Sequence, residues 1–82
     1  MGVREELIKV TRKNGSCLEY AIYKEGINHV IYRYLSPNEY RYDFPHAVPL
    51  DEGARVWGVR LKNCPTKDAA EFEIEKYRKA LA

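Results

Sequence analysis

Glutamine is absent from this 82-residue sequence, and serine and threonine occur only twice each. Glutamate, in contrast, outnumbers aspartate by nine to three, and 32% of all residues are charged. Proteins from organisms that live at high temperature shift in this direction, because the desolvation of ion pairs costs less free energy when hot. The composition is therefore thermophile-like.

Long apolar runs are also absent, and none approaches the ~20 residues that a membrane-spanning helix needs. Residues 1–6 contain charged side chains where a signal peptide has its apolar stretch. Glu6 occupies the position at which a myristoylation signal requires serine or threonine. We therefore expect a cytoplasmic protein without a membrane partner. Its net charge of +2 permits nucleic-acid binding without demanding it.

Side chains that perform catalysis or bind metals are scarce. The two histidines, His29 and His46, have no cysteine or carboxylate at the spacing of metal ligands. Ser16 and Ser36 lie in predicted turns and lack the motif that surrounds a nucleophilic serine. No glycine-rich loop precedes a predicted helix, so a phosphate-binding loop has no basis. We predict a protein that is not an enzyme and that needs neither metal nor cofactor.

The two cysteines, Cys17 and Cys64, are compatible with two redox states, reduced thiols or a disulfide. Their separation matches no spacing of zinc ligands. As reduced thiols they would serve as small buried hydrophobic residues. In a hyperthermophile, an intracellular disulfide between them is the alternative.

Turn signals divide most of the chain into predicted strands. Asn-Gly at residues 14–15 favours a two-residue type I′ hairpin turn, because both residues tolerate a positive φ. Glu-Gly at residues 25–26 offers a second tight turn. The predicted strands cover residues 6–13, 16–24, 27–35, 40–44 and 54–62, and a proline-containing connector covers residues 44–50.

A helix is predicted after the last strand, from residue 67 to residue 80. Thr66 is placed to cap its N-terminus, and Asp68 and Lys79 complement the helix dipole at the two ends. One apolar stripe follows helical spacing: Ala70, Ile74, Tyr77 and Leu81, widened by Ala69 and Phe72. The predicted fold is therefore one α+β domain over residues 1–82. It has an antiparallel sheet of four or five strands, open or curled into a small barrel, and one C-terminal helix.

Both faces of the predicted sheet are apolar, which is unusual for an antiparallel sheet. If both hairpins have two-residue turns, one face carries Leu7, Leu18, Tyr20, Ile22, Ile27 and Ile31. The other face then carries Ile8, Val10, Ala21, Tyr23, Val30, Tyr32 and Tyr34. One helix covers one face only, and the aliphatic face is its natural seat. The face rich in tyrosine then needs a cover, which is the curled sheet itself, a second copy of the chain or stacked bases.

The tripeptide Tyr-Arg-Tyr occurs twice, at residues 32–34 and 40–42. Tyrosine supplies a flat ring for stacking, and arginine supplies a planar charge that bonds phosphate. Small β-rich modules hold single strands or RNA with such aromatics bordered by arginines, although the aromatic signature of an RNA-recognition motif is absent. We predict a surface for DNA or RNA formed by six residues: Tyr32, Arg33, Tyr34, Tyr40, Arg41 and Tyr42.

The alternative is a protein-interaction domain that uses the same face as an apolar interface. An uncovered apolar face on a chain this small favours association with a second copy. On that basis we also predict a homodimer or a higher homo-oligomer.

Overall fold

The structure, a computed structural model, describes residues 2–36, 39 and 44–81. Within these residues the elements are β1 (Val3–Thr11), β2 (Cys17–Glu25), β3 (Asn28–Leu35), β4 (Val48–Pro49), β5 (Trp57–Cys64) and the helix α1 (Lys67–Leu81). The strands form one antiparallel sheet in the order β1-β2-β3-β5-β4. The predicted α+β class is confirmed. The sheet is open, with β1 and β4 at its edges, so the small-barrel alternative is wrong.

The predicted C-terminal helix is confirmed as α1. Thr66 caps it, because its Oγ1 accepts a hydrogen bond of 3.0 Å from the backbone N–H of Ala69. Ala70 and Ile74 are fully buried against the sheet. Phe72 is exposed, because two residues after Ala70 a side chain lies on the opposite side of a helix with 3.6 residues per turn. The prediction that Phe72 widens the buried stripe was wrong.

The main core lies between α1 and the sheet. Ile22, Ile31 and Ile74 are fully buried there, and each such side chain stabilises the fold by about 1.5–3 kcal/mol. The ring of Tyr20 packs against the ring of Tyr77 on α1, with centroids 5.4 Å apart. These contacts fix the helix to one face of the sheet and leave the other face for a different cover.

The β1–β2 hairpin has a three-residue loop instead of the predicted two-residue turn. The N–H of Gly15 donates to the carbonyl of Arg12 at 2.9 Å, and the N–H of Arg12 donates to the carbonyl of Ser16 at 2.8 Å. Gly15 has a φ of 87°, whereas Asn14 does not have a positive φ. A type I′ turn requires positive φ at both central residues, so this loop is a type I turn followed by a bulge at Gly15.

This longer loop reverses the predicted faces of β1. Val10 pairs with Leu18, and Ile8 and Val10 pack beneath the helix. Leu7 lies on the opposite face and is exposed. A register shift of one residue moves every side chain of a strand to the other face, which is why the β1 assignment was wrong.

The β2–β3 turn lies one residue further along the chain than predicted. Glu25 pairs with Asn28, and Gly26, with a φ of 62°, occupies the first central position as in a type II′ turn. Ile27, the second central residue, is exposed at the tip. Moving a turn by one residue changes the pairing by two, so the predicted faces of β2 and β3 are correct for the residues that pair. The prediction that Ile27 lies on the aliphatic face was wrong.

The chain folds into a loop before β5, which is why β5 begins at Trp57 instead of residue 54. Asp51 Oδ1 accepts hydrogen bonds from the backbone N–H groups of Arg55 at 2.7 Å and Val56 at 3.2 Å. The hydrogen bond from Val56 is the main reason that the pKa of Asp51 is lowered. The predicted strand at residues 40–44 lies outside the described residues, except for Phe44.

The cysteines are free thiols on opposite faces of the sheet. Cys64 is buried in the core beneath the helix, as a small hydrophobic residue. Cys17 is exposed at the start of β2. The disulfide alternative is therefore wrong for this fold, and the buried state is correct for Cys64 only.

Candidate functional site

The sheet face opposite the helix is the candidate binding surface, and we call it the tyrosine face. It consists of Ala21, Tyr23, Val30 and Tyr32, with the half-buried Tyr34 packed beside them. The rings of Tyr23 and Tyr32 meet edge to face with centroids 5.3 Å apart, an arrangement that aromatic pairs prefer. The molecule measures 32 × 32 × 17 Å, which fits one helix layer on one sheet layer.

Leu50 covers part of the tyrosine face. Leu50 is only 7% exposed, and its N–H donates to the carbonyl of Val56 at 2.7 Å. A Cβ atom at Gly58 would lie 2.4 Å from Leu50 Cδ1 and 3.0 Å from the carbonyl oxygen of Arg33. Gly58 therefore makes room for Leu50. The connector before β5 therefore covers part of the tyrosine face. The sequence had suggested three other covers for this face: a curled sheet, a second copy of the chain or stacked bases.

Arg4 is held over the tyrosine face by a tyrosine hydroxyl. Its Nη1 donates to Tyr34 Oη at 3.1 Å, and Tyr34 Oη lies 3.1 Å from Tyr23 Oη. Burial, together with the hydrogen bond to Tyr34, raises the pKa of Tyr23 well above its ordinary value. The exposed Arg4 side chain is thereby positioned next to the half-buried ring of Tyr34.

Tyr32 is part of the fold and not of the exposed surface. It is 5% exposed, and its hydroxyl donates to Glu25 Oε2 at 2.5 Å. Burial and this hydrogen bond raise the pKa of Tyr32 to about 12. Arg60 pairs with Tyr32 across the strands, and its Nη1 lies 3.9 Å from Glu25 Oε1. The Arg60 side chain is 53% exposed. Of this cross-strand pair, Arg60 is therefore the residue that a ligand can reach, whereas Tyr32 is buried.

Arg33 lies on the opposite side of the sheet from its two tyrosine neighbours, since side chains alternate along a strand. Its Nη2 donates to Glu39 Oε2 at 2.7 Å, and its guanidinium carbon lies 5.4 Å from the centre of the Phe44 ring. The side chain is 17% exposed. Arg33 is therefore engaged in contacts on the other side of the sheet and does not belong to the tyrosine face.

The structure describes three of the six predicted site residues. Tyr34 lies on the tyrosine face with partial exposure, whereas Tyr32 is buried and Arg33 faces the other way. The other predicted residues, Tyr40, Arg41 and Tyr42, lie outside the described residues.

The six-residue surface predicted from the sequence did not include Arg4, Lys9 or Arg60. Arg4 pairs with Tyr23 and Lys9 pairs with Glu19, so both basic residues share the tyrosine face. A correct register for β1 would have placed Lys9 on this face. Arg4 lies before the predicted start of β1 at residue 6 and beyond a register shift between Arg4 and Glu6, and no sequence signal indicated that shift. Among the described residues, the exposed cations of this face are therefore Arg4, Lys9 and Arg60.

Residues 2–36, 39 and 44–81 contain no group of three or more histidine, cysteine, aspartate or glutamate side chains placed to hold a metal ion. Across the same part of the chain, no helix is long and apolar enough to cross a membrane. No family model, curated protein or solved structure matches this chain.

Proposed function

We propose that this protein is a small, non-enzymatic module that binds nucleic acid through the tyrosine face. The observation that supports the proposal is the half-buried ring of Tyr34 with the exposed side chain of Arg4 bonded to its hydroxyl. A ring for stacking with cations beside it is how sheet surfaces hold single strands.

In this proposal the exposed cations of the face contact the nucleic-acid backbone, and one tyrosine contacts a base. Arg4, Lys9 and Arg60 contact phosphates, and Tyr34 stacks on one base. Glu19 and Glu25 share the face, so its net charge is small and the expected affinity is modest. The buried Tyr32 supports the surface from beneath instead of stacking on a base.

Titration with single- and double-stranded DNA and RNA at two salt concentrations tests the proposal. Three phosphate contacts to a single strand predict that affinity falls about 20-fold between 50 and 200 mM salt. Single strands should bind more tightly than duplexes, because only unpaired bases can stack on Tyr34. The proposal is wrong if no nucleic acid binds at the lower salt concentration.

Three variants separate the stacking contact from the phosphate contacts. Tyr34→Ala should weaken binding by about 1–3 kcal/mol, the value of one lost stack. Arg60→Ala should reduce the slope of log affinity against log salt by about 0.7. Arg78→Ala removes a partly exposed arginine from α1, on the other side of the sheet, and should change neither quantity. Equal effects of the Arg60 and Arg78 substitutions would place the binding surface elsewhere.

Self-association through the tyrosine face is the second candidate. Leu7 and Val48 are exposed apolar residues that the strand register places on this face. A second copy would bury them, and such an interface depends little on salt. Light scattering should then give twice the 9.6 kDa monomer mass, and Leu7→Lys should restore the monomer. A monomeric parent protein at high micromolar concentration would eliminate this candidate.

A further inference from the structure

A pocket opens beside the tyrosine face, where the start of β2 lies next to the end of β3. Its volume is about 230 Å³. Tyr34 forms one wall, and Cys17, Glu19, Ser36 and Glu39 contribute the polar atoms. The residue proposed above to stack on a base therefore also borders a pocket.

The two carboxylates of the pocket, Glu39 and Glu19, differ in their hydrogen-bond partners. Glu39 accepts hydrogen bonds from the backbone N–H of Ser36 at 3.1 Å and from Arg33 at 2.7 Å. Burial opposes ionisation of Glu39, but these partners together lower its pKa. Glu19 makes no hydrogen bond or ion pair with another described residue, although its charge acts on the exposed guanidinium of Arg4. Its carboxylate is therefore available to a ligand, whereas that of Glu39 is committed to the fold.

We infer that the pocket takes one nucleobase that carries an exocyclic amino group, stacked on Tyr34 and hydrogen-bonded to Glu19. This inference rests on the proposed nucleic-acid binding. An ionised carboxylate only accepts hydrogen bonds, so it selects a base edge that donates them. Unstacked bases of single strands expose their Watson–Crick edges to such groups.

Guanine is the best match to Glu19 among the common bases. Its N1–H and N2–H groups point in the same direction and can donate to both oxygens of one carboxylate. Cytosine and adenine offer an amino group next to a ring nitrogen that is an acceptor. Uracil and thymine offer one N–H between two carbonyl oxygens, which repel a carboxylate. The expected order of preference is therefore guanine first, cytosine and adenine next, and uracil or thymine last.

Affinities for two RNA decamers test this preference. One decamer contains only uridine, and the other has a single guanosine at its centre. The guanosine decamer should bind about 5- to 150-fold more tightly, the range for one well-placed bidentate contact to a base. Glu19→Gln should remove most of this difference while the all-uridine decamer still binds. Glu75→Gln, with the same charge change on the outer side of α1, should leave the difference intact.

The outcomes distinguish the pocket from the proposed function. If neither decamer binds, nucleic-acid binding itself is wrong and the pocket inference is lost with it. If both decamers bind equally, or if the preference survives Glu19→Gln, the pocket inference is overturned and the proposed function stands.

The thiol of Cys17 gives an independent readout, because it lines the pocket and is exposed, whereas Cys64 is buried. At a concentration ten times its dissociation constant, the guanosine decamer should slow alkylation of Cys17 by N-ethylmaleimide about tenfold. The all-uridine decamer at equal occupancy should slow it less. Protection by millimolar arginine but not by the guanosine decamer would identify a cation site and overturn the inference.

Discussion

Replacing Leu50 with alanine tests whether the connector before β5 closes the tyrosine face. Leu50 is 7% exposed, and its side chain packs over Gly58. Buried leucine-to-alanine substitutions cost about 2–5 kcal/mol, depending on how well the site collapses. Leu50 covers the outside of a sheet, where neighbours can relax, so we expect about 2–3 kcal/mol. A domain of this length has about 4–12 kcal/mol in total. The melting temperature should therefore fall by about 10–20 °C.

Thermal and urea unfolding, followed by circular dichroism, provide the measurement. Leu61→Ala is the matched control, because Leu61 is 42% exposed, and the substitution should cost only about 1 kcal/mol, well below the loss for Leu50→Ala. Gly58→Ala alone should destabilise the parent, since the new Cβ would lie 2.4 Å from Leu50 Cδ1. In the Leu50→Ala background that clash is gone, so the same substitution should cost less, with a coupling of about 0.5–3 kcal/mol.

Two results would refute this account of the cover. Equal losses for Leu50→Ala and Leu61→Ala would mean that Leu50 is not seated on the sheet in solution. Strict additivity of the Leu50 and Gly58 substitutions would mean that the two residues are not in contact.

Three further predictions concern charge and exposure. Burial and the adjacent Glu71 raise the pKa of Glu6 above 4.5, so Glu6→Gln should be more stable than the parent in urea titrations at neutral pH. That gain in stability should disappear as the pH falls below 4.5, where Glu6 of the parent becomes protonated in both the folded and the unfolded protein. The pKa of Tyr32, raised from 10.0 to about 12, predicts that stability falls as the pH rises from 10 to 12, and Tyr32→Phe should reduce this loss by roughly 2 kcal/mol. Ellman's reagent should titrate one thiol, Cys17, in the native protein and Cys64 only after unfolding.

Local signals predicted the elements of this fold, but not the register of β1. A cap at Thr66 and a helical apolar stripe are readable from a few neighbouring residues. Asn-Gly at residues 14–15 is compatible with a two-residue turn and also with a three-residue loop. The choice between them depends on which β1 residues bury beneath α1, and that contact is distant in sequence. Val10 is fully buried there, which is why the three-residue loop is the one that forms.

The cover over the tyrosine face was also beyond local signals, although one residue pointed to it. The fold-back that brings Leu50 onto the sheet depends on the Asp51 loop and on packing against β5. A glycine inside a strand often marks the close approach of another part of the chain. Gly58 lies inside the predicted strand at residues 54–62, so it was the available sign of a contact, without indicating the partner.

The cover limits what the exposed part of the face can bind. The part of this face that the structure describes offers one half-buried ring, Tyr34, and three exposed cations, which accommodate one stacked base and a few phosphates. Phosphate contacts should therefore set most of the affinity, and the pocket should set the preference among bases. Self-association would bury Leu7 and Val48 on the same face, and a second copy seated there would cover Tyr34. The two modes of binding therefore compete. If both occur, the fraction of a labelled RNA that is bound should rise more slowly with total protein once the protein concentration passes its dimerisation constant, because free monomer then grows only as the square root of total protein. Leu7→Lys should restore the ordinary binding curve. If the slower rise persists in a monomeric Leu7→Lys variant, the two partners do not share the tyrosine face.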